Sequence, residues 1–218
     1  MHSVMMSSKY PKECEKKLNE IINVTQSATI TYDSLAAQCN THDLRMTGFH
    51  TFFQLCARRH RAIGQNLIDW QTTRGGKYTL TDIRPLTTIT QLKDTRDEIK
   101  WIVEMAVNVE RMLEEKLTEM CVLSRERGDL ATEHHITHYH LHPQVYVHRM
   151  MLDHMHRVSG CGDVYTYDRC TMMALVEKVK RTLRKRMSKK IRDDDDGDFA
   201  SVDDEIIEMT ITCATMKL

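Results

Sequence analysis

The chain has 218 residues, and its 31 basic and 31 acidic side chains leave no formal net charge. This length suits one large domain with a substantial core, and the scarcity of aromatic residues and prolines favours an all-α fold over a sheet. No run approaches the ~18 apolar residues of a membrane span, so no membrane partner is expected. The seven cysteines include no CxxC pair, and the first residues do not resemble a signal peptide. We therefore expect free thiols and a cytoplasmic location.

Apolar residues recur every three or four positions in four long segments and one shorter one, which predicts five helices. Residues 1–9 show no pattern and are expected to form a loose N-terminal arm. The helices are predicted over about Pro11 to Cys39, about Met46 to the glycines at 75 and 76, Leu92 to Leu123, Leu130 to Val158, and from near Asp168 onward. One helical domain is thus expected over residues 10–190.

The segment between the second and third helices is predicted to be a long extended crossover. Gly75 and Gly76 end the second helix, because glycine adopts the left-handed conformation without a steric clash. Pro85 prevents an immediate return to helix. With such a connection the second and third helices need not be antiparallel neighbours.

Two further irregularities are predicted toward the C-terminus. Pro143 falls inside the fourth helix, so a kink or a broken hydrogen bond is expected near Tyr139. The fifth helix continues into the basic segment 181–190, and acidic residues follow from 193. This segregation of charge makes nucleic-acid binding a weak alternative to a solvated helix. Residues 191–218 are predicted to be an acidic, disordered tail.

Several motifs along the chain resemble those of the ferritin family. The resemblance begins at Tyr10 and continues through residues 22–24, Tyr32, Phe49 and Phe53. It is strongest at Gln71-x-x-Arg74-Gly75-Gly76, followed by Leu80-x-Asp82-Ile83-x-Pro85, Glu104-x-Ala106-x-x-x-Glu110 and Tyr139-x-Leu141-x-x-Gln144. It implies a four-helix bundle with a crossover and a short fifth helix, and a subunit of a hollow shell that stores iron.

The resemblance also implies where a di-iron ferroxidase site would lie. The family's oxidising subunits hold two irons between the helices with carboxylates and one histidine, because hard oxygen ligands can bridge the two metals. In this chain the matching first-helix glutamate is Thr25, although the tyrosine is retained as Tyr32. The second-helix glutamate and histidine are His60 and Ile63. The third- and fourth-helix positions survive as Glu110 and Gln144. An active ferroxidase is therefore not expected.

Two interpretations of the remaining polar residues stay open. All six positions fall on the inward stripes of their helices, and a buried carboxylate must be paired or protonated. Glu110 is expected to pair with His60, with Tyr32 or Gln144 completing the hydrogen bonds. The alternative is a residual metal site held by His60 and Glu110 with Gln144 nearby, which requires a third ligand or water.

Five histidines open the fourth helix, at positions 134, 135, 138, 140 and 142. The simplest interpretation is a solvated polar helix face. In the family this region lines the three-fold channels, whose two acidic positions correspond here to His134 and Thr137. A histidine-lined, pH-sensitive channel that includes His138 is the alternative, since neutral imidazoles cannot attract cations as carboxylates do.

The acidic patch with which the family nucleates mineral also has no counterpart, because the matching face reads Thr51, Gln54, Leu55 and Arg58. The sequence therefore predicts a shell subunit that takes part in intracellular iron storage without its own ferroxidase activity. Its partners would be other ferritin subunits that supply the oxidising site. The alternative is a bundle-based structural or interaction protein that no longer handles iron.

Overall fold

The computed structural model describes residues 10–86 and 95–193, with side chains placed for 10–86 and 97–185. The predicted arm at 1–9 and the tail from 194 lie outside these residues. The described chain forms five helices and contains no strand. They are α1 (Lys12–Cys39), α2 (Thr47–Thr73), α3 (Thr95–Glu126), α4 (residues 130–160) and α5 (residues 164–193). The predicted all-α architecture is confirmed.

The helix directions follow from contacts near their ends. Between α1 and α2, the Gln71 side chain donates to the Glu15 carbonyl over 3.0 Å, and His50 Nδ1 donates to the Ala36 carbonyl over 2.8 Å. Between α1 and α3, Gln38 meets Glu98 at one end and Lys17 meets Glu119 at the other. Both α2 and α3 are therefore antiparallel to α1 and parallel to each other.

The crossover makes this arrangement possible by running along α1. The Lys77 amide donates to Glu15 Oε1 over 2.8 Å, the Thr79 amide to Asn19 Oδ1 over 2.9 Å, and the Leu86 amide to Thr31 Oγ1 over 2.8 Å. These contacts cover about 24 Å of α1. The extended connection predicted after the glycine pair thus carries the chain back along the bundle.

Gly75 and Gly76 close α2 for two different reasons. Gly75 has φ +81°, a conformation that strains residues with a Cβ atom. Gly76 lies against the Tyr10 ring, where an added Cβ would be 2.9 Å from a ring carbon. Tyr10 in turn donates to Gln71 Oε1 over 2.8 Å, which fixes this end of the bundle.

Helix α4 is continuous but changes its hydrogen bonding before Pro143. Leu130–His135 and His142–Gly160 are α-helical, and Ile136–Leu141 between them is π-helical. The irregularity predicted near Tyr139 therefore takes the form of a π-helical segment, which accommodates the missing proline N–H. α4 is antiparallel to α3, as contacts between Arg125 and Glu133 (2.9 Å) and between His148 and Glu114 (2.7 Å) show.

Helix α5 begins at Val164, four residues before the predicted start. The Asp163 side chain accepts from the amides of Tyr165 and Thr166, which caps the helix there. The helix extends to Asp193, three residues past the predicted domain boundary. None of the helices within the described ranges is apolar enough over a sufficient length to cross a membrane.

Buried apolar residues form two clusters. One contains Phe49, Phe53 and Val103 and receives α5, and the other contains Leu18, Leu67 and Leu117. Polar residues of α1, α2, α3 and α4 lie where these clusters meet, and they form the candidate site.

Candidate functional site

The site is centred on Glu110, whose side chain on α3 is fully buried. Its Oε1 atom accepts from the Tyr32 hydroxyl over 2.6 Å and from His60 Nε2 over 3.1 Å. Its Oε2 atom accepts from a guanidinium nitrogen of Arg59 over 3.0 Å and from Gln144 Nε2 over 2.7 Å. An ionised carboxylate has about four lone-pair positions. All of them are therefore used by protein donors.

Arg59 supplies the positive charge of the site. Its side chain is only 5% exposed. One guanidinium nitrogen contacts Glu110, and the other donates to Gln144 Oε1. The Gln144 amide also donates to the Glu110 main-chain carbonyl over 2.9 Å. Three helices are thus joined through one hydrogen-bonded group, and the planar guanidinium suits this two-point contact better than lysine would.

The charge states follow from this arrangement. Burial by itself would raise the pKa of Glu110, but the Arg59 charge and the hydrogen bonds from His60 and Tyr32 hold it well below the usual range. Burial lowers the pKa of His60, and the nearby Glu110 only partly opposes this. We therefore assign an ionised Glu110, a charged Arg59 and a neutral His60. Burial also raises the pKa of Tyr32 well above its ordinary value, which keeps its hydroxyl protonated.

Thr25 and Ile63, the other two positions that the resemblance assigns to a di-iron site, do not contact this group through ligand atoms. Thr25 is buried, and its hydroxyl donates to the Ile22 carbonyl of its own helix over 2.7 Å. Ile63 is 2% exposed and packs in the second apolar cluster. Gly64 lies so close that an added Cβ would be 2.7 Å from the Thr25 hydroxyl oxygen. α1 and α2 are thus packed closely at Thr25 and Gly64.

The structure brings together four of the residues selected from the sequence: Tyr32, His60, Glu110 and Gln144. Both Tyr32 and Gln144 contact Glu110. Sequence reasoning missed Arg59, the only one of the cluster that carries a full positive charge. A signal was available, because Arg59 is three residues after Cys56 and four before Ile63, and so falls on the inward stripe of α2.

The histidine tract divides between the surface and the interior. His134 and His138 stack with ring centroids 5.8 Å apart, and His138 and Thr137 are exposed. The Thr137 hydroxyl lies 3.3 Å from Cys121 Sγ. His135 and His140, however, are buried. The interpretation of the whole tract as a solvated face is therefore wrong for these two, because the π-helical segment that follows His135 brings His140 to the same buried side of the helix.

The face that matches the family's mineral-nucleating patch is not fully exposed. Leu55, predicted to lie on this face, is instead 7% exposed and packs in the core. Within the described part of the chain, no three His, Cys, Asp or Glu side chains approach closely enough to hold a metal ion together.

Comparison with known proteins defines the class to which this crossover bundle belongs. A family model for the ferritin-like domain matches residues 15–160, which span α1 to α4 and every residue of the Glu110 site. The match covers more than half of the chain. The chain therefore belongs to the ferritin family.

Individual relatives are distant. The chain is 28% identical to Ferritin-1, chloroplastic, of Pisum sativum over 70% of its own length and 60% of the pea protein. It is 32% identical to a chloroplastic ferritin of Phaseolus vulgaris over 50% of its length and 42% of the bean protein. For the middle subunit of ferritin from Salmo salar, the identity is 25% over 75% of this chain and 93% of the relative. The chain thus spans less than two thirds of the length of these two plant relatives.

Proposed function

We propose that this chain is a subunit of a ferritin shell that takes part in iron storage and has no di-iron ferroxidase site of its own. The observation that carries this proposal is the complete use of the Glu110 carboxylate by four protein donors. An iron ion could bind Glu110 only by displacing at least one of these donors. Each displaced group would then be left buried without its hydrogen bond, at a cost of about 1–3 kcal/mol.

The charge of Arg59 adds a second obstacle. A ferrous ion bound to Glu110 would lie close to the guanidinium, and like charges repel strongly in a buried site. The same argument favours a structural ion pair over a residual metal held by His60 and Glu110. In this proposal the Arg59 guanidinium supplies beside Glu110 the positive charge that a metal would otherwise supply.

Assembly is the second part of the proposal. Several apolar side chains of the isolated chain are exposed, among them Leu130 (67%), Leu80 (63%) and Val122 (51%). Tyr146 and Val145 on α4 are about half exposed. Packing between subunits would bury such residues, and the relative from Salmo salar is itself named as a subunit. We expect other ferritin subunits as partners, one of which supplies the oxidising site.

In such a shell, we expect His134, Thr137 and His138 to line the three-fold channel. The stacked imidazoles provide no fixed negative charge, so they would not draw ferrous ions inward as carboxylates do. A cytoplasmic location stays a prediction, and the names of the plant relatives describe those proteins as chloroplastic.

The test combines particle mass with iron loading. The purified chain is analysed by size-exclusion chromatography with light scattering, alone and after refolding with an oxidising ferritin subunit. We expect mixed shells that load iron normally, and no oxygen-dependent Fe(II) oxidation above buffer for this chain alone. A chain that enters no shell, alone or mixed, would contradict the proposal and favour a structural or interaction protein.

A further inference from the structure

A second polar cluster is buried between α2 and α4, and it consists of Asn66, His135 and His140. The Nε2 atoms of His135 and His140 lie 3.1 Å and 2.7 Å from the same atom, Asn66 Oδ1. The three residues are exposed by no more than 7%. Two imidazole nitrogens and one amide oxygen therefore converge on one small volume.

The π-helical segment of α4 produces this convergence. His135 and His140 are five residues apart, and in a regular α-helix such residues point about 140° away from each other. Hydrogen bonds of the i→i+5 type across Ile136–Leu141 bring the two rings to one side of the helix, with centroids 5.3 Å apart. Single π-helical turns occur frequently at functional sites.

Neighbouring groups fix the orientation of the first ring. The indole of Trp70 stacks on His135 at 4.0 Å between centroids and 4° between planes. Trp70 Nε1 donates to Thr132 Oγ1 over 3.2 Å, which holds the indole against α4. Orientation of a histidine by its surroundings is typical of metal ligands.

The protonation states also suit metal binding. Burial lowers the pKa of His135 to about 4, with a smaller contribution from His134. Burial lowers the pKa of His140 to about 3, with smaller contributions from His135 and Arg59. Both imidazoles are therefore neutral at pH 7, which is the form that binds metals. Asn66 Oδ1 can only accept, so both Nε2 atoms now donate to it. Metal binding therefore requires each proton to move to Nδ1 and replaces these two hydrogen bonds by bonds to the metal.

We propose that Asn66, His135 and His140 bind one divalent transition-metal ion of the zinc and copper class, with water completing the coordination. Imidazole nitrogens select these ions over Mg²⁺ and Ca²⁺. At Zn–N distances of about 2.0–2.1 Å, the ligand atoms of a tetrahedral site are about 3.3 Å apart. The present separations from Asn66 Oδ1 are 3.1 Å for His135 Nε2 and 2.7 Å for His140 Nε2, so they would have to widen by about 0.2 and 0.6 Å. The site is distinct from the Glu110 site and does not depend on iron storage.

Trp70 provides a built-in reporter for the test. In a Trp101→Phe background, Trp70 is the only tryptophan, and Cu²⁺ bound to His135 should quench its fluorescence. Cu²⁺ is titrated into the assembled full-length protein, and Zn²⁺ is then added as a competitor. We expect saturable quenching that Zn²⁺ reverses. His140→Gln, which can still donate to Asn66, should weaken Cu²⁺ binding at least about tenfold.

Two further variants separate this site from the exposed histidines. His138→Gln should change the affinity less than about twofold, since its ring is exposed and outside the cluster. Asn66→Asp should bind more tightly, because an isosteric carboxylate replaces a neutral oxygen. Quenching that is lost in His138→Gln and retained in His140→Gln would overturn the proposal.

Crystals of the wild-type protein soaked in Zn²⁺ give an answer that does not depend on the folding of any variant. Anomalous scattering should place zinc within about 2.3 Å of both Nε2 atoms. Zinc found only at exposed histidines would overturn the assignment.

Discussion

At the scale of single residues, Arg59 supplies the positive charge that pairs with the buried Glu110 carboxylate. Arg59→Met should leave the buried Glu110 carboxylate without its countercharge. We expect a loss of about 3–5 kcal/mol in the free energy of unfolding, measured by urea denaturation. The exposed neighbour provides the control, since Arg58→Met should change stability by no more than about 0.5 kcal/mol.

The double variant Arg59→Met/Glu110→Gln extends this test, because it removes both charges together. It should recover much of the lost stability if the single variant suffers from an unpaired carboxylate. A single variant as stable as the wild type would show that Arg59 does not compensate Glu110.

The residues of the site could be predicted only in part. Tyr32, His60, Glu110 and Gln144 were found because helical spacing placed them on inward stripes and the resemblance to ferritins named them. Arg59 was missed because a cation seldom lies in a core unless it is paired, and its partners come from α3 and α4. Pairing across helices depends on their packing, which spacing within one helix does not determine.

At the scale of secondary-structure elements, Asp168 joins α5 to α2. Its carboxylate, 3% exposed, accepts from the amides of Gly48 (3.0 Å) and Phe49 (2.7 Å) at the start of α2. α2 thus receives its cap from another helix, because its own preceding residue, Met46, provides none. An added Cβ at Gly48 would lie 2.7 Å from Asp168, so glycine permits this close approach.

Asp168→Ala should therefore destabilise the protein by about 1–2 kcal/mol in urea denaturation. Hydrogen exchange should accelerate at the amides of Gly48 and Phe49, which lose their acceptor. Arg169→Ala, a change at the exposed next residue, is the control and should leave both measurements near the wild type. If the Gly48 and Phe49 amides of the Asp168→Ala variant exchanged at the wild-type rate, the cap would not protect the start of α2.

The free energy of unfolding is expected to depend on pH because of a contact between α4 and α5. His154 Nδ1 lies 2.8 Å from the Tyr167 hydroxyl oxygen. Burial, and to a lesser extent the Arg157 charge, lowers the pKa of His154 to about 4, although the Asp153 charge partly opposes this shift. In the unfolded chain a histidine titrates near about 6.5. Between these values the unfolded state binds more protons, so stability decreases as the pH falls from about 6.5 to 4.

His154→Gln should remove this contribution. The loss of unfolding free energy between pH 7 and pH 5 should be smaller by about 1–2 kcal/mol than in the wild type. His156→Gln, at an exposed position of the same helix, should keep the wild-type dependence. If the unfolding free energy of His154→Gln changed with pH as steeply as that of the wild type, His154 would not be a buried neutral imidazole.

The elements themselves were largely predictable. Four long helices and the extended crossover follow from apolar spacing and the glycine pair. The start of α5 was placed four residues too late because the cap at Asp163 precedes the apolar pattern. The position of the irregularity in α4 followed from Pro143. Its π-helical form, which brings His140 to the side of His135, depends on hydrogen bonding that the spacing of apolar residues does not reveal.

At the scale of the whole molecule, the bundle keeps the ferritin architecture, and in the proposed function an internal ion pair takes the place of a di-iron site. This separates two properties, since assembly depends on the outer surfaces and oxidation on the interior. Mixed shells should therefore oxidise iron in proportion to their content of oxidising subunits. Activity that does not fall as this chain is added would show that the chain contributes oxidation of its own.

Rapid-mixing measurement of Fe(II) oxidation by the purified chain, at about two irons per subunit in oxygenated buffer, tests the central claim most directly. We predict an absorbance change no faster than that of buffer, and no further loss of rate in Glu110→Ala. A fast phase that disappears in Glu110→Ala would mean that iron reaches this carboxylate despite Arg59, and would contradict the account.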